Sequence, residues 1–317
     1  MHISDSAFVA NKLKDYTDDD NYGGAIYTPK VSGKIISISH SSFSKNHAFL
    51  DGGAIYAAGF NSNNNYHTIS LCNFTNNTAD RYGGAIYIEG INTTVTDSGF
   101  INTNVGQVCE WGDAHYGDPT GYVAPVEGDG GAIYIYGANT HIENATISSS
   151  YATKQGGAIY VEARYNTIKN STFVNNKAKG EGGAVYINGR YGKIVSSAFI
   201  CNSAKKGYDI YCDSSYCELY CSIILGNTPK NAVYSSKSFS AEKNWWGNIE
   251  NNRNVKPDVN KKVDLENNWL YLKDEVKYDH TGSLPSAVVK TSIWSNKYNY
   301  EVTDCPKLSL DMEFTNT

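Results

Sequence analysis

Long apolar runs are missing from this 317-residue chain. No window approaches the roughly 20 consecutive apolar residues that a membrane helix needs, so no transmembrane segment is expected within it. A basic stripe is missing too: 27 Lys and Arg stand against 32 Asp and Glu, for a net charge of −5. That balance lacks the electrostatic footprint of nucleic-acid binding, and no nucleic-acid partner is expected. Methionine is scarce, with two copies beside 29 glycines and 25 tyrosines; this is a composition of turns and strands with almost no helix. The N-terminal MHISDSAFVANKLKD has no basic region leading into an apolar run, so it carries no visible export signal. The seven cysteines include no CxxC pair, which leaves only a weak zinc signal; no metal site and no cofactor are expected. What remains is 40% apolar residues in a length suited to one large domain or two ordinary ones, enough for a substantial core.

A repeated motif fills that length. GGAIY begins at 23, 52, 83, 130 and 156, GGAVY at 182, and a worn copy, GYDIY, at 207. The steps of 29, 31, 47, 26, 26 and 25 define a unit of about 26 residues. A second frame keeps pace: an aliphatic, a small residue three on, then an anchor at Phe8, Phe43, Phe74, Phe100, Ile147, Phe173, Phe199 or Ile224. Asn follows three after the anchor at 11, 46, 77, 176, 202 and 227. So short a unit cannot enclose a core alone, whereas stacked coils bury a continuous one. The reading is all-β, a parallel β-helix of about eight coils.

Period-two alternation orients the side chains. Ile55/Ala57, Ile86/Ile88, Ile133/Ile135, Ile159/Val161 and Val185/Ile187 face inward, so Tyr27, Tyr56, Tyr87, Tyr134, Tyr160, Tyr186 and Tyr211 point out as a ladder. The glycine pairs Gly52–Gly53, Gly83–Gly84, Gly130–Gly131, Gly156–Gly157 and Gly182–Gly183 mark a corner. Such a corner needs positive φ and has no room for Cβ. Asn46, Asn77, Asn176 and Asn202 mark another corner, where an amide can bond the next coil's backbone.

GGA(I/V)Y paired with FxxN resembles the repeat signature of the chlamydial polymorphic outer-membrane proteins, over roughly residues 1–228. The I-x-x-S-x-F-x-x-N frame is similar to right-handed parallel β-helix regions generally. Asn244–Trp245–Trp246–Gly247 resembles the NWWG element that closes β-helices in adhesin-like surface proteins of methanogenic archaea, where immunoglobulin-like modules follow. The resemblance implies a right-handed β-helix and a non-enzymatic, extracellular or cell-surface adhesin-like protein. Its motifs are structural and carry over no catalytic residue. About seventy residues follow the WWG, too few for the barrel that ends chlamydial members. The layout expected is a β-helix domain 1–247 with an insertion 104–128 and the NWWG cap, a linker 248–268, and a partial sandwich-like segment 269–317. A full anchor motif already stands at Ile3–Asn11, so the chain is expected to be a piece of a longer protein whose signal and anchor lie elsewhere.

Insertions protruding from solenoids usually carry function. Anchor to GG takes 9 residues in regular coils but 15 from Phe8 and 30 from Phe100. The long insertion gathers Trp111, Asp113, His115, Tyr116, Asp118 and Tyr122, aromatics with carboxylates that suit contact with carbohydrate or protein ligands on other cells or host surfaces. The competing reading is a plain surface loop whose Trp folds back over the rod. Asp18–Asp19–Asp20 in the short insertion reads as a solvated acidic loop rather than a Ca²⁺ site. Among the ladder residues, Tyr87, Tyr134 and Tyr160 are candidates for ligand contact; cross-coil packing explains them equally.

A polysaccharide lyase or glycoside hydrolase is the alternative, and a passive stalk the third reading. A hydrolase needs two carboxylates roughly 5 to 10 Å apart. Glu89 and Glu162 on the outward face are read as three coils apart, roughly 14 Å, which is too far. Cys72, Cys201 and Cys212 fall at inward positions, and Cys217–Cys221 or Cys212–Cys221 could pair in an oxidising compartment.

Overall fold

The structure, a computed structural model, describes residues 1–13, 21–28, 36–59, 66–106, 127–247, 256–279, 286–295 and 297, with the backbone alone for 272–279 and 286–294. Strands of two or three residues bury at most three side chains each, so burial demands that strands stack. One coil shows how. Ser37–Ser39, Ser42–Ser44, His47–Ala48 and Ile55–Ala57 form its four sides. Each side pairs in parallel with its counterpart one repeat on, Ile38 with Ile69, Phe43 with Phe74, Ala48 with Ala79 and Ile55 with Ile86. Four sheets of ten, eleven, five and eight strands run along the resulting parallel β-helix. The eight strands of the GGAIY sheet, from Ile26–Thr28 to Val233–Ser235, count eight coils. Among the described residues helix is confined to Pro229–Ala232.

Identical residues in register stack their rings. The centroids of Phe43, Phe74 and Phe100 are 4.9 and 4.7 Å apart with planes within 7° of parallel, and Phe173 and Phe199 repeat the contact at 4.9 Å. The anchor column ends at the fully buried Trp246, which pairs with Ile224.

Two corners of each coil are made by single left-handed residues such as His40 and Lys45, or Asn170 and Asn175. Each is disfavoured by about 1–2 kcal/mol outside glycine, a cost offset by pairing on both sides. Inside the second corner runs the Asn ladder. Asn46 Nδ2 donates to Phe8 O at 3.1 Å and to Asn77 Oδ1 at 2.9 Å, and Asn77 Oδ1 also accepts from Asn46 N at 3.0 Å. Asn176 and Asn202 repeat this geometry. In the two coils that lack the Asn, the hydroxyls of Thr103 and Ser150 bond each other at 2.9 Å.

The paired glycines divide their duties. Gly52 takes φ +68°, where a Cβ would stand 2.3 Å from Ile55 O; a Cβ on Gly53 would stand 2.1 Å from Gly84 O in the next coil. The first glycine makes the corner, and the second lets the coils touch.

Past the WWG the stacking continues. Phe239 pairs with Val263 and Trp245 with Leu270, so two sheets gain another rung before Trp269–Asp279 turns into an antiparallel hairpin with Ser286–Ser295. The rest of the segment expected to be sandwich-like falls largely outside the described residues.

Cysteine placement corrects two expectations. Cys72 and Cys212 are buried in the core as alternation requires, but Cys201 is exposed. The strand Ala198–Ile200 ends one residue before it, and Cys201 is itself a left-handed corner at φ 52°; alternation stops where the strand does. Cys212 and Cys217 are free thiols, so neither pairing with Cys221 forms. Cys221 is disulfide-bonded, to a partner outside the described residues.

Candidate functional site

Trp111, Asp113, His115, Tyr116, Asp118 and Tyr122 lie outside the described residues, as does Asp18–Asp20. The root of the long insertion is described. Asn104–Val105 is still a strand of the rod, paired with Thr78–Ala79 on one side and Tyr151–Ala152 on the other. Gly106 N donates to Ala79 O at 3.2 Å before the chain departs. Where it returns, Gly128 N donates to Thr153 Oγ1 at 2.7 Å and Asp129 N to Arg81 O at 3.1 Å. The coil therefore closes beneath the insertion without loss of register. Charged groups ring this root. Arg81 forms a two-pronged bond to buried Asp51 at 2.9 and 2.6 Å, and Lys154 lies 3.8 Å from Glu127 and 3.9 Å from Asp129. Burial pushes Asp129 up to about 6, against the pull of Lys154.

The GGAIY tyrosines point away from the aliphatic core, as alternation demands, and form a separate cluster. In the middle of the ladder they are closed to solvent, whereas Tyr27 at its end is 43% exposed. Tyr56, Tyr87, Tyr134, Tyr160 and Tyr186 are 5–8% exposed, because rings stacked 4.8–5.2 Å apart cover one another. Tyr22 and Tyr82 pack on their flank. Their hydroxyls reach carboxylates: Tyr56 donates to Glu89 at 3.1 Å, Tyr134 to Glu162 at 3.5 Å and Tyr186 to Asp213 at 3.5 Å. Burial first, and these carboxylates second, push the hydroxyl pKa values of Tyr56, Tyr134, Tyr160 and Tyr186 up, so the hydroxyls remain protonated donors. At Tyr87, Tyr134 and Tyr160 the ring faces are thus occupied by neighbouring rings, and a ligand would meet ring edges and hydroxyls.

The carboxylate spacing also needs correction. The strands before Glu89 and Glu162, Ile86–Ile88 and Ile159–Val161, are separated by Ile133–Ile135 alone, so the residues are two coils apart, about 10 Å. Phe100 belongs to the same coil as Ile133, the 107–126 segment being inserted within that coil. This distance reaches the upper end of the glycosidase range. Each carboxylate nevertheless has a structural partner: Glu89 accepts from Tyr56, and Glu162 from Tyr134 and from Asn188 Nδ2 at 3.1 Å.

A second tyrosine ladder escaped the sequence reading. Tyr165, Tyr191 and Tyr216 stack at 4.9 and 5.1 Å and are 47%, 37% and 64% exposed. They occupy a third corner, at φ 60–62°, where earlier coils carry Asn92 and Asn139. Tyrosine is a poor residue for that conformation. The signal was available: in the last three GG copies a Tyr follows the first glycine by nine residues, 156 to 165, 182 to 191 and 207 to 216.

The Chlamydia polymorphic membrane protein repeat matches the chain three times, at residues 40–58, 71–89 and 170–188. Each match spans a left-handed corner, the Phe anchor, the buried Asn and the paired glycines with their strand. Over those residues the chain is similar to this repeat. No curated protein and no solved structure matches it.

Proposed function

We propose that this chain, built on polymorphic membrane protein repeats, is a non-enzymatic, surface-displayed adhesin-like rod that holds binding residues clear of its core. The repeat type supports the cell-surface location, since the family it matches is one of membrane proteins. The ligands are carbohydrates or proteins on other cells or host surfaces, met by the insertion bearing Trp111, Asp113, His115, Tyr116, Asp118 and Tyr122. One observation carries the reading: strand 104–105 pairs with both neighbours, so the coil pairing of the rod runs up to the start of the insertion unbroken. Residues that a fold does not need for packing are where a solenoid places its recognition. The segment 269–317 is read as β-rich and sandwich-like.

The test is a glycan-array and host-matrix binding screen of the intact chain beside a variant in which 107–126 is replaced by a tight turn. The trimmed rod is expected to keep the β-sheet signature of the intact one and to lose binding. If it binds as well as the intact chain, the insertion is not the site; if the intact chain binds nothing, the adhesin reading fails.

A further inference from the structure

The exposed tyrosine stack ends differently on its two sides. Arg164 lies over the ring of Tyr165, 5.5 Å from its centroid, and covers that end with a cation–π contact. At the other end, the pairing of Cys217 with Phe239 sets Ser238 opposite Tyr216. The loop between the paired strands is one residue shorter in this coil, 236–238 against 213–216, and holds no left-handed residue, so the tyrosine corner is not repeated and no ring follows Tyr216. A cavity of about 370 Å³ opens there, lined by Ser215, Tyr216, Cys217, Glu218, Ser238 and Ser240.

We propose that a neutral pyranose sugar binds in this cavity, stacked on the open face of Tyr216 in place of the missing rung. A pyranose offers an apolar C–H face to an aromatic ring and hydroxyls around its edge. The groups around the cavity match that edge: the Glu218 carboxylate accepts from sugar hydroxyls, and the Ser238 and Ser240 hydroxyls both donate and accept. Glu218 is held by Lys193 at 3.1 Å. None of the lining residues is a cation and Lys193 is already paired with Glu218, so an acidic sugar finds no partner there for its carboxylate. The backbone adds a second argument. Three successive coils place Tyr in a left-handed conformation that Asn92 and Asn139 accept more readily. A backbone conformation held against residue preference on an exposed face points to a function for the side chain.

The inference deepens the adhesin reading, yet its test is separate, because the trimmed rod keeps Tyr216. Saturation-transfer NMR on the full chain would use methyl β-glucopyranoside and N-acetylglucosamine as probes, with glucuronate as the acidic comparison. Saturation of the neutral sugars' ring protons is expected, with affinity in the millimolar range and weaker signal from glucuronate. Tyr216→Ala should weaken binding by roughly tenfold or more, the effect of losing one stacking face. Ser238→Tyr puts a ring into the cavity from an exposed position, and should abolish binding while leaving the melting temperature unchanged. The assignment is overturned if the intact chain saturates neither neutral sugar, if glucuronate binds as well as they do, or if both variants bind like the parent. Array binding lost without sugar binding, or the reverse, shows which of the two readings has failed.

Discussion

Replacing Gly157 by alanine is expected to unfold the middle of the rod, while the same substitution at Gly99 leaves it intact or slightly more stable. A Cβ on Gly157 would lie 2.1 Å from Gly183 O in the next coil and 2.6 Å from Lys177 O. Both neighbours are backbone, already committed to coil pairing, so relief requires the coils to part. Because each coil is stabilised by its neighbours, parting one interface removes support from both sides. A loss above about 4 kcal/mol is expected, in the range that marks a specific structural failure. Gly156→Ala meets Ile159 O at 2.4 Å and adds the left-handed penalty at φ +65°, but it leaves the coil-to-coil approach alone and should cost less. At Gly99 the nearest atom to a new Cβ is the amide oxygen of Asn73, at 3.1 Å and free to turn. Asn73 and Thr146 fill the same place on the flanking strands, so a side chain fits, and losing a strand glycine contributes up to about 1 kcal/mol. Thermal melts of the three variants check the order. A Gly157→Ala protein melting within a few degrees of the parent would show that coil contact is not what the second glycine protects.

The glycine pair shows how far the sequence can be read. Its repetition, with the inward Ile and Phe columns, follows from period two and a constant step, and the structure returns the same inner face and eight coils. Reading failed where the chain leaves a strand. Cys201 was assigned by alternation one residue past the end of its strand. Tyr165, Tyr191 and Tyr216 sit in a turn that no alternation reaches. The GGAIY tyrosines were oriented correctly, but their burial comes from ring-on-ring cover between coils, which no single repeat displays. Glu89 and Glu162 were set a coil too far apart because an insertion within one coil was counted as a coil.

The worn repeat GYDIY carries the second large effect. Asp209 stands where the other copies have Ala25, Ala54, Ala85, Ala132, Ala158 and Ala184, and it is fully buried. Burial pushes its carboxyl from the ordinary 3.8 up to about 7, against the pull of bonds from Asn202 Nδ2 at 2.9 Å and Asn227 Nδ2 at 3.0 Å. Between about pH 4 and pH 7 the folded chain holds a proton that the unfolded chain has released, so stability falls as pH rises through that window. At about 1.4 kcal/mol per pH unit the loss is of the order of 4 kcal/mol, complete above pH 7 and absent below pH 4. Asp129, raised to about 6, contributes with the same sign. Asp209→Ala restores the repeat's own residue. Asn202 keeps its bond to Phe173 O at 3.1 Å and Asn227 its bond to Asn202 O at 2.9 Å, so no amide is stranded. The variant should melt close to the parent at pH 4 and well above it at pH 8, with a flatter profile between. Parallel melting curves across that range would mean that Asp209 keeps an ordinary acidity in the folded rod.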